Sequence, residues 1–100
     1  MTVQPHVVVA LTTAATEYSW TIPSGALMIT IQCREGDTAI EYYFKSNANG
    51  GGPGQDGNYF TLQPSNAKTF QGHWNAGQVI YFQAVTNNGK HVEIEYAIDP

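Results

Sequence analysis

Histidine and carboxylate side chains, the usual ligands for a metal ion, group around one short segment near the end of the sequence. His91 alternates with Glu93 and Glu95, so a β-strand would carry all three on one face. No histidine stands in a zinc-ligand spacing with the cysteine or with another histidine. Charged outer faces are the rule on half-buried strands. We therefore interpret this group as a solvated edge and expect neither a metal nor another cofactor.

Acids and nucleophiles also lack a catalytic arrangement. Glu35 and Asp37 flank a glycine, and two acids in a tight turn are expected to splay into solvent, whereas glycosidase carboxylates face each other across a cleft. Cys33 shares a predicted strand face with apolar residues, so we interpret it as a buried, inert thiol. No serine lies in a Gly-x-Ser-x-Gly elbow. The sequence predicts a non-enzymatic protein without catalytic residues.

Composition limits the classes of partner. The 100 residues include 4 basic and 8 acidic side chains, for a net charge of −4, and the basic residues are scattered. Nucleic acids and anionic membranes need clustered Lys and Arg, so we expect neither partner. The single cysteine allows no intrachain disulfide. The apolar run 7–11 is too short for a signal peptide or a membrane span, which predicts folding in a cytoplasm.

Alternating apolar and polar residues predict about eight short strands that form one domain over residues 1–100. The expected strands are 6–12, 16–22, 26–34, 38–45, 58–63, 67–72, 78–85 and 90–97. Turn signals at 35–37 and 86–89 predict hairpins. The sequence predicts an all-β fold, a single antiparallel β-sandwich, with jelly-roll and immunoglobulin-like topologies both open.

The same alternation assigns residues to the two faces of each strand. Leu27, Ile29, Ile31 and Cys33 are expected on one face, as are Ile40, Tyr42 and Phe44, and Phe60 and Leu62, while Val92, Ile94 and Tyr96 are expected to point inward. Glu41 and Tyr43 are expected on the face opposite Ile40 and Tyr42. The strand 78–85 is apolar on both faces, which predicts a central position in its sheet.

Three segments suit contact with other proteins. The run 7–11 is typical of a strand that is buried on both faces or pairs with a partner's sheet. The glycine-rich stretch 46–57 predicts a mobile loop that is either a contact arm or a disordered tip, and residues 1–5 predict a flexible arm. A tryptophan in a predicted loop either contacts a partner or caps the core. The candidate contact residues are Val7, Val8, Val9, Leu11, Asn49, Gly51, Pro53 and Trp74.

The stretch from Ile22 to Arg34 enters a strand through Ile-Pro-Ser-Gly, ends it in Ile-Gln-Cys-Arg and is followed by a Gly-Asp turn. Together with 59–62 and 92–96, it resembles small capsid decoration, or cement, proteins of tailed bacteriophages, from about residue 20 onward. The resemblance implies a β-sandwich or jelly roll that is made in the host cytoplasm. It implies assembly on the virion's outer capsid shell as a dimer or trimer that braces the major capsid protein. It transfers no binding residue.

Two other functions compete with this one. A carbohydrate- or receptor-binding module would use exposed aromatic rings, with Trp74 as the first candidate for stacking on a glycan. A small jelly-roll metal enzyme would need histidines and carboxylates that converge, and the sequence pattern offers no such set. For the decoration protein, we expect that deleting residues 1–11 abolishes assembly and leaves a folded core.

Overall fold

The computed structural model describes residues 2–44, 59–72, 74 and 77–98, with side chains from residue 6 onward. The strands in these ranges are β1 (Thr2–Leu11), β2 (Tyr18–Thr21), β3 (Ala26–Cys33), β4 (Ile40–Tyr43), β5 (Phe60–Leu62), β6 (Ala67–Gln71), β7 (Val79–Ala84) and β8 (Lys90–Ile98). They form two four-stranded antiparallel sheets, sheet A in the order β1-β8-β3-β6 and sheet B in the order β2-β7-β4-β5. The predicted all-β sandwich is confirmed.

Strand pairing follows one simple rule along the chain. The first strand pairs with the last, β2 with β7, β3 with β6, and β4 with β5. This is the pairing of a single long hairpin wrapped around itself, which is the topology of an eight-stranded jelly roll. The strand order therefore decides between the two topologies that the sequence left open.

Both predicted hairpins are wrong, although both turns exist. Residues 35–37 lead from β3 in sheet A to β4 in sheet B, and residues 86–89 lead from β7 in sheet B to β8 in sheet A. Each turn crosses the sandwich. Gly89 adopts φ +71°, a left-handed conformation that favours glycine. The sequence signals the reversal of the chain, but the partner of each strand depends on the wrapping of the whole chain.

The core lies between the two sheets and takes side chains from both. Phe82 of the central strand β7 is completely buried, as are Ile29 and Ile31 of β3. Ile29, Ile31 and Cys33 of β3 and Val92 and Ile94 of β8 are buried as predicted, but Leu27 is only partly buried, at the register shift between Ala26 and Met28. The central position of β7 is confirmed. The buried apolar cluster consists of Leu11, Ile22, Ala26, Ile29, Ile31, Cys33, Ile40, Tyr42, Leu62, Ile80, Phe82, Ala84, Val92 and Ile94.

The outer face of sheet B differs from the simple expectation that polar residues there meet solvent. Glu41 and Tyr43 are 8% and 3% exposed, and Gln83 on the neighbouring strand is 9% exposed. Gln83 Nε2 donates a hydrogen bond of 2.5 Å to Glu41 Oε1, and the Tyr43 ring stacks on Tyr81 at 5.9 Å between centroids. A buried carboxylate needs such a donor. Alternation assigned these side chains to a face but could not say whether that face is covered.

Candidate interaction surface

The free edge of β1 is the longest strand edge among the described residues. β1 is the outermost strand of sheet A and pairs with β8 alone. It has 10 residues, whereas the other three edge strands, β6, β2 and β5, have 5, 4 and 3. An edge strand presents a row of N–H and C=O groups that another strand can pair with. The alternative expectation, that β1 is buried on both faces, is wrong.

A register shift divides this strand into two parts. Thr2 and Val3 pair with Ile98 and Ala97, and the ladder shifts between Val3 and His6. Pro5, which has no N–H to donate, lies inside that shift. The regular part of the edge is therefore residues 6–11, which we call the β1 edge. Residues 2–5, expected as a flexible arm, run with β1 along β8.

Side chains alternate along the β1 edge between core and solvent. Val7 and Val9 are partly buried and pack against the core, whereas Val8 points to the outer face of sheet A and is 40% exposed. Leu11 is fully buried, so its side chain serves the core and only its backbone lies on the edge. The segment 46–57 with Asn49, Gly51 and Pro53 lies outside the described residues.

Beside the β1 edge, the outer face of sheet A carries a polar groove of about 370 Å³. At its centre, Gln32 Nε2 donates to one oxygen of Glu93 at 2.6 Å, and Arg34 Nε donates to the other at 2.9 Å. These hydrogen bonds, first from Gln32 and then from Arg34, hold the pKa of Glu93 below its usual 4.5. The lining residues are His6, Val8, Thr30, Gln32, Arg34, Glu93, Ile94 and Glu95.

Sequence reasoning placed Glu93 and Glu95 on an outer face, which is confirmed, but it missed their neighbours from β3. Gln32 pairs directly with Glu93, and Thr30 pairs with Glu95, because β3 and β8 are adjacent in sheet A. The two strands are far apart along the chain, and only their pairing brings these side chains together. The alternation within 26–34 was the available signal, since it put Thr30 and Gln32 on one face.

Of the two turn acids expected to splay into solvent, Asp37 does so with a side chain that is 63% exposed, whereas Glu35 does not. Asp37 lies 3.0 Å from Lys90 Nζ, and Glu35 lies 2.8 Å from His91 Nδ1 while also accepting the His91 backbone N–H at 2.9 Å. Burial raises the pKa of Glu35, but the hydrogen bonds from His91 outweigh it and the pKa is lowered. Two consecutive residues of β8 thus fasten the crossing turn to sheet A.

His91 therefore faces the turn that follows β3, and it lies on a central strand instead of a solvated edge. Within the described ranges, no group of three His, Cys, Asp or Glu side chains is placed to hold a metal ion. Cys33 is buried as predicted, with its Sγ 3.6 Å from the Leu62 carbonyl oxygen. Burial raises the pKa of this thiol to about 11, so it stays protonated at neutral pH.

Trp74 belongs to an aromatic cluster near the edge strands β5 and β6. Its ring stacks on Phe44 at 5.9 Å and meets Phe70 edge-on at 6.0 Å, and its Nε1 is buried. These contacts agree with the capping role rather than with a free contact residue. Phe60 in this region is 64% exposed and stacked on Tyr42, although alternation placed it on one face with the buried Leu62. β5 has only three residues and ends its sheet, so the end of the strand stays open.

Comparison of the chain with protein-family models, with curated proteins and with solved structures gave no match. In the part of the chain that the structure describes, no helix has the length and apolar character to cross a membrane.

Proposed function

We propose that this protein is a non-enzymatic structural component of a phage virion that binds the outer capsid shell as a decoration protein. The observation that supports this most is the β1 edge, an uncharged, Val-rich strand edge that no other described strand covers. Strand addition uses such an edge, because main-chain hydrogen bonds supply affinity and alternate side chains supply specificity. We therefore assign the β1 edge to pairing with a neighbouring protein on the shell, whether a capsid subunit or a second copy of this chain.

The pairing of charged side chains also supports binding over catalysis. Glu35 is held by His91, Asp37 by Lys90 and Glu93 by Arg34. Each of these acids has a structural partner within the fold. An enzyme needs acids or bases that converge on an open position for the reacting atom. The groups best suited to such chemistry are occupied in fastening strands and turns to one another.

The test of the function is co-sedimentation with empty, expanded heads of a tailed phage that encodes this sequence. We expect the protein to pellet with the heads at a fixed number of copies per shell and to raise the temperature at which they open. Heads of an unrelated phage serve as the control. Protein that stays in the supernatant at micromolar concentration would overturn the proposal.

A point substitution tests the β1 edge better than the deletion of residues 1–11. Leu11 is completely buried and β1 covers one flank of β8 along its length, so the deletion would open the core. The expectation that it leaves a folded core does not fit this structure. Val8→Lys instead adds a charge at a 40% exposed position and should abolish binding to heads. Val85→Lys, at a 42% exposed valine outside β1, is the matched control and should bind normally.

A carbohydrate-binding module is the second candidate, and the polar groove favours it. Arg34, Gln32 and Glu95 line an open site that could exchange hydrogen bonds with sugar hydroxyls. Trp74 no longer supports this function, since its ring packs within the protein. A glycan array with the native protein and Arg34→Ala tests it. Binding that the variant loses supports a glycan site in the groove, and a blank array removes this candidate.

A further inference from the structure

Within the described part of the chain, residues 6–11 carry none of the common devices that keep an exposed edge from pairing, since the register shift and Pro5 lie before them. The β1 edge carries no Lys, Arg, Asp or Glu between residues 6 and 11, and the one proline of β1 lies before it, at position 5. Natural sheets usually protect a long edge with charge, proline or a covering segment. An unprotected edge of this length therefore indicates that a partner strand covers it. The proposed function requires such a partner but does not say which protein supplies it.

Symmetry makes this edge suited to a second copy of the same chain. Two identical strands that pair antiparallel are related by a two-fold axis, so residue i of one faces residue j of the other with a constant sum i + j. Directly opposed residues point to the same face of the sheet. Since faces alternate with odd and even positions, the sum must be even, and the axis must pass through a residue that faces itself.

Val8 is the residue that best satisfies this condition. With Val8 opposite Val8 of the second copy, Val7 faces Val9 and His6 faces Ala10. The exposed Val8 is then covered, and the partly buried Val7 and Val9 gain an apolar neighbour. Pairs of β-branched residues are favourable across strands. No pair opposes two like charges, and the bulky His6 meets a small residue.

The alternative axis, through Val9, is less favourable. It would place Leu11 opposite Val7, although Leu11 is already completely buried and gains nothing from a new neighbour. Its next pair would join His6 to Thr12, where β1 has ended. The axis through Val8 keeps all five of its paired positions inside residues 6–10.

We propose that β1 pairs antiparallel with β1 of a second copy across a two-fold axis at Val8. The two A sheets then form one continuous eight-stranded sheet, in the order β6-β3-β8-β1 followed by β1-β8-β3-β6 of the second copy. The inference rests on the proposed function for its biological setting, but its geometry depends only on the β1 edge. It also brings the two polar grooves together, because His6 and Val8 line each of them.

Cysteine cross-linking tests the register directly. Val8→Cys places two thiols opposite each other, and opposed residues in an antiparallel pair lie about 4.5–5.5 Å apart between Cα atoms, within reach of a disulfide. Diamide, which is reduced as the two thiols are oxidised, should convert this variant to a covalent dimer on a non-reducing gel. The native Cys33 is buried, so it leaves the background low.

Matched cysteines define the register. Ala10→Cys alone should not cross-link, because its two copies would lie four residues apart, about 13 Å at ~3.3 Å per residue. An equal mixture of His6→Cys and Ala10→Cys should give a mixed dimer, since these positions face each other. Val85→Cys, 42% exposed but outside β1, should give no covalent dimer on the non-reducing gel. Cross-linking of Val9→Cys in place of Val8→Cys would overturn the register.

Light scattering after size exclusion completes the test on the unmodified chain. We expect about 22 kDa, twice the 10.9 kDa of one chain, and at least about tenfold weaker dimerisation for Val8→Lys, which corresponds to 1.4 kcal/mol or more. A 10.9 kDa species at all concentrations overturns the inference. If that monomer still binds phage heads, the proposed function stands and only the dimer is overturned. A dimer that does not bind heads would support the pairing of β1 and overturn the proposed function.

Discussion

β1 and β6 form the two edges of the same sheet, and they are built differently. β6 has 5 residues and carries Lys68, whose Nζ lies 6.0 Å from the centroid of the Phe70 ring. β1 has 10 residues and no Lys, Arg, Asp or Glu at any of them. Short length and a lysine are two devices that keep an edge from pairing with other chains. β6 is thus protected along its whole length, whereas β1 has Pro5 and a register shift before residue 6 but neither charge nor proline over residues 6–11.

The difference also extends to how each strand is attached. β1 sends the fully buried Leu11 into the core, along with the partly buried Val7 and Val9. β6 contributes one partly buried side chain, Phe70, and is otherwise exposed. A strand that is anchored firmly while its edge stays open can present that edge in a fixed position. The β1 edge of sheet A is therefore preorganised to pair with another strand, whereas β6 only ends the sheet.

The largest expected effect comes from removing the anchor of β1. Leu11→Ala should lower the free energy of unfolding by about 2–5 kcal/mol, because it leaves a cavity at a position that is 0% exposed. The matched change on β6, Thr69→Ala, removes a 2.9 Å hydrogen bond to Thr30 at an exposed site and should cost about 1 kcal/mol or less. Urea titration followed by tryptophan fluorescence measures both. Equal losses would show that the two edges are attached alike.

The second prediction tests whether the short length of β6 or the charge of Lys68 keeps its edge from pairing. Lys68→Val removes the charge from β6 but leaves the strand 5 residues long. We therefore expect two β6 edges to associate only weakly, much less than two β1 edges do. Combining Lys68→Val with Val8→Lys moves the charge from one edge to the other. We expect the double variant to stay monomeric by analytical ultracentrifugation, because the short edge cannot replace the long one. A dimer as stable as that of the native chain would mean that charge alone decides.

The smallest effect concerns the groove beside β1 and depends on pH. The pKa of Glu93 is lowered in the folded protein, so the unfolded chain binds more protons in that range and stability falls as the pH drops below about 4.5. Gln32→Ala removes the larger cause of the shift and should raise this pKa toward 4.5. A carbon-detected NMR titration of the side-chain carboxyl measures it. Gln71→Ala, on β6, is the control and should leave the Glu93 titration unchanged.

The alternation of apolar and polar residues determined the strands and their inner faces, except at Leu27 and Phe60. Ile29, Ile31 and Cys33 are buried as the pattern of 26–34 requires, because a strand turns successive side chains to opposite faces. The two-sided apolar run 78–85 became the central strand β7 for the same local reason. The composition also indicated a surface with few charges. These properties depend on residues that are close along the chain.

Pairing between distant strands decided the rest. Residues 35–37 and 86–89 form turns, as their residue types predict. Because the flanking strands belong to different sheets, each turn connects sheet A with sheet B instead of forming a hairpin. The wrapping of the whole chain buried Glu41 beside Gln83 and brought Gln32 to Glu93. It also left β1 at an edge, although its sequence suited a central strand as well. A strand's sequence specifies its faces, but its neighbours, and hence its free edge, are set by the order in which the whole chain packs around the core.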